Sequence, residues 1–270
     1  MTRIVADLGN SRLKWGLVDL DGRLASTVAL PTHDPTTWAY AWDAWGLGEL
    51  ETAWSIASVN PPLADRVGRF LEGRGVRQIR WYRSASDVPV RHELDHPEKT
   101  GADRALAVVG ALAIQLGRGP GLVVSCGTAV TVERISAEGV WQGGAIAPGL
   151  GPMARALHLL TAQLPEVAPT EAPNSFGRST IPALEAGVFW GVVGAIRELL
   201  TRQAEGLKPL PWVLWTGGDA ATFAPWISAS PSSSVIPHLV LEGLSRKDSG
   251  LGTQDPAGQA LPYVADPGAS

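Results

Sequence analysis

Two short stretches of the chain share one design, in which an apolar run meets a small polar position and then a glycine turn. The first is Ile4-Val5-Ala6-Asp7-Leu8-Gly9-Asn10-Ser11, and the second is Leu122-Val123-Val124-Ser125-Cys126-Gly127-Thr128-Ala129. Alternation resumes after each, through Leu13, Trp15 and Leu17 in one case and Val130 and Val132 in the other. Each therefore reads as strand, tight turn, strand. Such a turn exposes backbone N–H groups beside short polar side chains, which suits a phosphate. Asp7, at the end of its strand, can hold Mg²⁺ directly or through water, or it can serve the turn as a cap. A further group, Gly101-Ala102-Asp103-Arg104, sets a carboxylate at a predicted helix start. There it either caps the helix or accepts a proton from a bound hydroxyl. Arg104 offers a fork of donors that fits a carboxylate, or it is a surface arginine. The glycines of Thr216-Gly217-Gly218-Asp219 either let a flat base or ribose lie against the backbone or simply turn the chain.

The elements that must position these groups follow from periodicity. Residues 3 to 31 read as a three-strand meander, with Asp21-Gly22 as a hairpin turn. A helix from about Thr36 to Gly46, a strand Ala53 to Val59, a helix Pro62 to Glu72 and a strand Val76 to Tyr82 follow. A long helix spans Thr100 to Leu116. The second half repeats the order: strands Gly121 to Val124, Ala129 to Ile135 and Val140 to Ala147, then helices Pro152 to Leu160 and Ile181 to Ala204. A strand Pro211 to Trp215, a short helix Ala220 to Trp226, a strand Ser234 to His238 and a helical stop Leu239 to Leu244 complete it. Residues 161 to 178, with Pro165, Pro169 and Pro173, read as a mobile loop or lid. Residues 245 to 270 read as a disordered tail. The repeat implies a duplicated domain, 1–117 and 118–244, with a nucleotide between the halves.

Composition narrows the class. A net charge of −4 gives no electrostatic reason to expect nucleic-acid binding. Cys126 is the one cysteine, which excludes an internal disulfide and a cysteine-built metal site. Met1-Thr2-Arg3-Ile4 enters a strand with no signal pattern, and no apolar run reaches membrane-spanning length, so the expectation is a cytoplasmic protein without a membrane partner. Trp38, Trp42 and Trp45 fall at helical spacing and read as a packing stripe.

Taken together, Asp7-x-Gly9-Asn10-Ser11-x-x-Lys14, Ser58-Val59-Asn60-Pro61, Gly101-Ala102-Asp103-Arg104, Gly127-Thr128-Ala129-x-Thr131, Gly143-Gly144-Ala145-Ile146-Ala147-Pro148-Gly149, Thr216-Gly217-Gly218-Asp219 and Leu241-Glu242-Gly243-Leu244 resemble the motif series of type III pantothenate kinase. That family lies within the acetate and sugar kinase, Hsp70 and actin superfamily. The resemblance spans residues 3 to 244 in the family's order. It implies an α/β fold of two ribonuclease-H-like (actin-like ATPase) domains with a nucleotide cleft between them. It implies ATP-dependent phosphorylation of the 4′-hydroxyl of pantothenate, with Mg²⁺, by a homodimer; Trp190 is then a plausible interface residue. It assigns Asp103 as the base, and Gly101, Ala102, Asp103, Arg104 and Thr180 to the substrate. It assigns Asp7, Gly9, Asn10, Ser11, Lys14 and Thr128 to the phosphates and Gly217 and Gly218 to the adenosine.

Two positions depart from the pattern. Ser125 stands where the family has an aspartate that binds an activating monovalent cation, K⁺ or NH₄⁺, and a neutral hydroxyl is a poorer cation ligand. Leu94 stands where a tyrosine lines the substrate pocket; His92 and His96 lie nearby and either replace that contact or are loop residues. Glu133 is charged, but local pattern does not place it in a site. The alternatives left are a catalytically impaired homologue acting as an accessory binding protein, and a kinase for another small hydroxyl compound.

Overall fold

Side-chain alternation in the first strand separates its residues cleanly. Ile4, Ala6 and Leu8 enter one apolar core, while Val5 enters another on the opposite face, the face that Asp7 shares. The computed structural model describes residues 1–115, 117–227 and 232–246. In these, β1 (Thr2–Leu8), β2 (Arg12–Val18) and β3 (Leu24–Pro31) form an antiparallel meander. β4 (Thr52–Ser58) and β5 (Gln78–Tyr82) add to β1 in parallel, giving the order β3-β2-β1-β4-β5. Crossover helices α1 (Pro35–Ala44) and α2 (Pro61–Glu72) make this possible. Each starts on a proline behind a side-chain cap: Asp34 Oδ1 accepts the Thr36 N–H at 2.9 Å, and Asn60 Oδ1 accepts the Leu63 N–H at 3.1 Å.

The second sheet repeats the design. β6 (Gly121–Cys126), β7 (Ala129–Ile135) and β8 (Trp141–Pro148) form the meander, and β9 (Trp212–Thr216) and β10 (Ser233–Val235) pair in parallel beyond β6. The order β8-β7-β6-β9-β10 matches the first sheet strand for strand, so the expected duplication of a ribonuclease-H-like unit is present. α4 (Leu150–Leu160) and the long α5 (Thr180–Ala204) follow β8, and the short α6 (Ala220–Phe223) follows β9. β6 runs two residues beyond its expected end at Val124, because Ser125 still pairs with Thr131 and Thr216 on its neighbours. Residues 161 to 178 form no helix or strand, as expected, although Val167 is buried.

Three cores result. Trp15, Trp38, Trp42 and Trp54 fill the outer face of the first sheet, so the tryptophan stripe is packing. α5 covers the outer face of the second sheet. Between the sheets lie α3 (Ala102–Ile114) and α7 (Leu239–Arg246), which share one core with both sheets. They pack backbone to backbone: a Cβ on Gly110 would collide with the Leu239 carbonyl oxygen, and one on Gly243 with that of Leu106. α7 ends two residues inside the stretch expected as tail. Ser245 is buried there and its carbonyl accepts a 3.1 Å hydrogen bond from Arg3 Nη2, so the helix continues past the expected boundary as part of the folded body. The remainder of the expected tail, 247–270, lies outside the described residues. Among the described residues no helix is long and apolar enough to cross a membrane.

Candidate active site

The turns at the ends of the two meanders meet. Gly9 N–H bonds to the Arg12 carbonyl and Gly127 N–H to that of Ala129, both at 3.1 Å, which closes each turn. Across the gap Ser11 Oγ lies 2.7 Å from Thr128 Oγ1, and both residues are exposed, as is Asn10. Behind the first turn, Asp7 and Lys14 face each other in register, with Nζ 3.9 Å from Oδ2. The Asp7 side chain is 13% exposed. Burial pushes its carboxyl up to about 6; Lys14 opposes this and the charge of Asp103 adds to it.

Asp103 owes its place to Gly101. A Cβ at Gly101 would sit 2.5 Å from Asp103 Oδ1 and 3.0 Å from Val59 Cγ1, so only glycine lets the carboxylate fold back over the first turn of α3. Oδ1 accepts the Arg104 N–H at 2.9 Å. Burial raises the Asp103 carboxyl and bonding to Arg104 restrains it. A desolvated carboxylate raised toward neutrality is a competent proton acceptor. Ala102 is fully buried in the shared core and anchors this helix start.

Arg104 does not reach into open space with all its donors. Its Nε and Nη2 bond to Glu133 Oε1 and Oε2 at 2.6 and 2.7 Å, and its guanidinium lies 5.5 Å from the centre of the Trp141 ring. Burial pulls the Arg104 pKa down, but the Glu133 hydrogen bonds and charge outweigh this and raise it. Glu133 and Trp141 were missed by local sequence reasoning. The available signal was the two-residue period of β7, which puts Thr131 and Glu133 on the face that looks toward α3.

On the second sheet the row level with Ser125 is neutral: Thr131 on β7, Ser125 on β6 and Thr216 on β9. Thr131 Oγ1 is buried with no hydrogen-bond partner. No cluster of three or more His, Cys, Asp or Glu side chains forms among the described residues. Ser125 itself brings no carboxylate to a monovalent cation, and Glu133 is committed to Arg104, so this row offers such an ion only hydroxyl oxygens. Gly217 has φ +95 and its Cα lies against the Cys126 carbonyl, which also accepts the Asp219 N–H at 3.1 Å. This ties the Thr216–Asp219 turn to the end of β6 and leaves Gly218 exposed.

The remaining residues are spread more widely. Leu94 is half-buried against the shared core, with Cδ2 3.7 Å from where a Gly143 Cβ would be. His92 Nδ1 accepts the Leu94 N–H at 3.3 Å, and exposed His96 sits 3.3 Å from Glu98. Thr180 is exposed at the first turn of α5, and no described contact joins it to the carboxylates. A groove of about 630 Å³ opens beside Thr128, lined also by Arg155, Leu160 and Glu166. Trp190 packs edge-on against Phe189 and Trp226 of its own chain.

The family model described as type III pantothenate kinase matches residues 3–202. A protein of that name from Janthinobacterium sp. (strain Marseille) is 34% identical over 89% of this chain and 95% of its own length. One from Akkermansia muciniphila is 32% identical over 90% and 97%. Among solved structures, a Baf-family transcriptional activator from Campylobacter jejuni superposes with a TM-score of 0.57 at 18% identity, covering 91% of this chain and 98% of its own. A 2-dehydro-3-deoxygalactonokinase from Sinorhizobium meliloti does so with a TM-score of 0.52 at 14%, covering 92% and 99%. At those identities the structural likeness speaks to the fold alone.

Proposed function

The chain belongs to the type III pantothenate kinase family, and from that premise we propose that it transfers the γ-phosphoryl group of ATP to the 4′-hydroxyl of pantothenate, the first step of coenzyme A synthesis. The observation that carries this reading is the meeting of the two glycine turns at Ser11 and Thr128, with the carboxylate of Asp7 buried behind the first. Phosphoryl transfer to a hydroxyl calls for one carboxylate near the metal and one to take the proton, the roles this reading gives to Asp7 and Asp103.

In this reading the halves 1–117 and 118–244 each supply one phosphate turn. Gly9, Asn10, Ser11 and Thr128 offer N–H groups and hydroxyls to the phosphates, and Lys14 offsets their charge. Asp7 fits Mg²⁺, which takes one or two carboxylates and fills its other positions with water and phosphate oxygens. When bound, that ion spreads the negative charge that develops on the transferring group. Gly217 and Gly218 take the adenosine. Arg104 holds the pantothenate carboxylate, with Leu94 as an apolar wall and Thr180 as a further contact. Asp103, whose Oδ1 is steadied by the Arg104 N–H, takes the hydroxyl proton on Oδ2. Positioning and fixed electrostatics do most of the work. We further read the protein as a cytoplasmic homodimer that needs no K⁺ or NH₄⁺; exposed Ile146, Leu159 and Leu160 support self-association.

The test is ATP-dependent phosphorylation of pantothenate by wild type and Asp103→Asn. The variant is expected to lose about 10²–10⁴-fold in kcat, with ATP binding retained. A folded wild type that leaves pantothenate untouched, or an undiminished variant, refutes the assignment.

A further inference from the structure

Glu133 is the one charged residue of β7 that is wholly shut off from solvent, and the reaction outlined above gives it no task. Its carboxylate meets three donors: Arg104 Nε at 2.6 Å, Arg104 Nη2 at 2.7 Å and Trp141 Nε1 at 3.0 Å. It lies across Gly144 of β8, where a Cβ would stand 2.5 Å from Oε2, so the neighbouring strand leaves it room. Trp141 is itself pinned, with its backbone N–H on the Arg91 carbonyl at 2.9 Å and its ring N–H shared with that of Gly143 at 3.1 Å.

A guanidinium has five N–H groups in a rigid fork. Glu133 occupies the Nε edge. The edge formed by Nη1 and Nη2 is left, and it too presents two parallel N–H groups to a carboxylate. The Arg104 side chain is 16% exposed, so the pair is not wholly sealed from solvent. The ion pair is also neutral as a unit. An anionic ligand therefore gains from the aim of the free N–H groups more than from net charge.

We propose that Glu133 is a positioning residue. It fixes which edge of Arg104 faces the substrate, and it thereby sets the enzyme's preference for a substrate ending in a carboxylate over the same compound ending in a neutral group. This rests on the assignment of Arg104 to the pantothenate carboxylate.

The experiment compares pantothenate with its alcohol analogue, in which CH₂OH replaces the carboxylate, in wild type, Glu133→Gln, Glu133→Asp and Trp141→Phe. In Glu133→Gln one amide N–H confronts an Arg104 N–H and the guanidinium swings away. The KM for pantothenate is expected to rise about tenfold or more, the worth of one well-made charged hydrogen bond. The KM for ATP should stay within about twofold, and the preference for acid over alcohol should fall by the same tenfold. Glu133→Asp keeps the charge and should recover part of that preference. Trp141→Phe removes one donor to Oε2 and should cost about threefold in it. If Glu133→Gln does not fold, these two variants carry the test. Folded variants that keep the wild-type preference, or that weaken ATP and pantothenate equally, overturn the proposal. A wild type that phosphorylates neither compound sinks the functional reading and this one with it. A wild type that prefers the acid, with variants that share its preference, sinks this one alone.

Discussion

At the ends of the first meander the row facing the cleft reads Lys14, Asp7, Ala57; at the same level of the second it reads Thr131, Ser125, Thr216. The backbones correspond strand for strand, and the two turns touch through Ser11 and Thr128. What differs is charge. The first row buries a carboxylate whose pKa rises to about 6 even with a lysine opposite. The second holds only hydroxyls, one of them, on Thr131, buried without a partner. A duplicated fold has thus kept its geometry while its chemistry became one-sided. The charged row suits metal and phosphate charge, and the neutral row suits contacts that orient. Burying a second carboxylate would impose a second desolvation penalty, and the second row has no lysine to offset it.

Removing the charge from the first row is the strongest way to break this contrast. Asp7→Asn is expected to lower kcat/KM for pantothenate phosphorylation about 10²–10³-fold, the usual effect of losing one preorganised electrostatic group. It should also make the protein more stable. The folded-state pKa of Asp7 is about 6 against 3.8 for the free group, so between these values the native state holds more protons than the unfolded one. Asp7 therefore costs nothing below pH 3.8, and its penalty grows as pH rises to 6 and stays level above, at about 3 kcal/mol. Thermal melts of nucleotide-free, chelator-treated protein from pH 4 to 8 should show the variant gaining on wild type up to pH 6 and no further. A gap that is flat across this range would mean that Asp7 is not the buried, shifted group it is taken to be.

Converting the second row into a copy of the first sharpens the same contrast with a smaller effect. Ser125→Asp introduces a half-buried carboxylate opposite Thr131, where the first row has lysine. It should destabilise the protein by about 1–2 kcal/mol at pH 8, a shift of a few degrees in Tm. K⁺ should reverse part of that loss where Na⁺ does not. Wild-type stability and turnover should ignore the exchange of K⁺ for Na⁺. A wild type that requires K⁺ would show that the hydroxyls of Ser125, Thr131 and Thr216 suffice for the ion.

Local pattern carried most of the fold and the turns and helix start on which the candidate site residues sit. The period of β1 placed Asp7 at a strand end, and Gly101 to Arg104 marked the start of α3, because turn and cap chemistry is written in neighbouring residues. What was not legible depends on pairing at a distance. Glu133 lies twenty-nine positions from Arg104; the period of β7 sets its face, but only the packing of α3 on that sheet brings the two together. The return of α7 onto the first sheet, where Leu241 and Leu244 join the core of Val5 and Ala57, has no local signature. His92 reads from its position as a pocket contact or a loop residue, and in the structure its Nδ1 accepts the Leu94 N–H. Thr180 is the assigned substrate residue that no described contact brings to the cleft.

The mildest perturbation asks whether the two turns act together or separately. The Ser11–Thr128 hydrogen bond is exposed and neutral, so it is worth at most about 1 kcal/mol to the fold. If each hydroxyl serves its own phosphate oxygen, Ser11→Ala and Thr128→Ala should each raise the KM for ATP about threefold and leave the KM for pantothenate alone. The double variant should then show the product, about tenfold, since independent contacts add in free energy. If the hydroxyls serve each other, as a latch that draws the sheets together, either substitution removes the whole interaction. The double variant is then no worse than the singles, and ATP binding no longer requires a direct contribution from the second turn. The size of the coupling, read from these four proteins, therefore decides whether the neutral hairpin is a ligand site in its own right or only the partner against which the charged one closes.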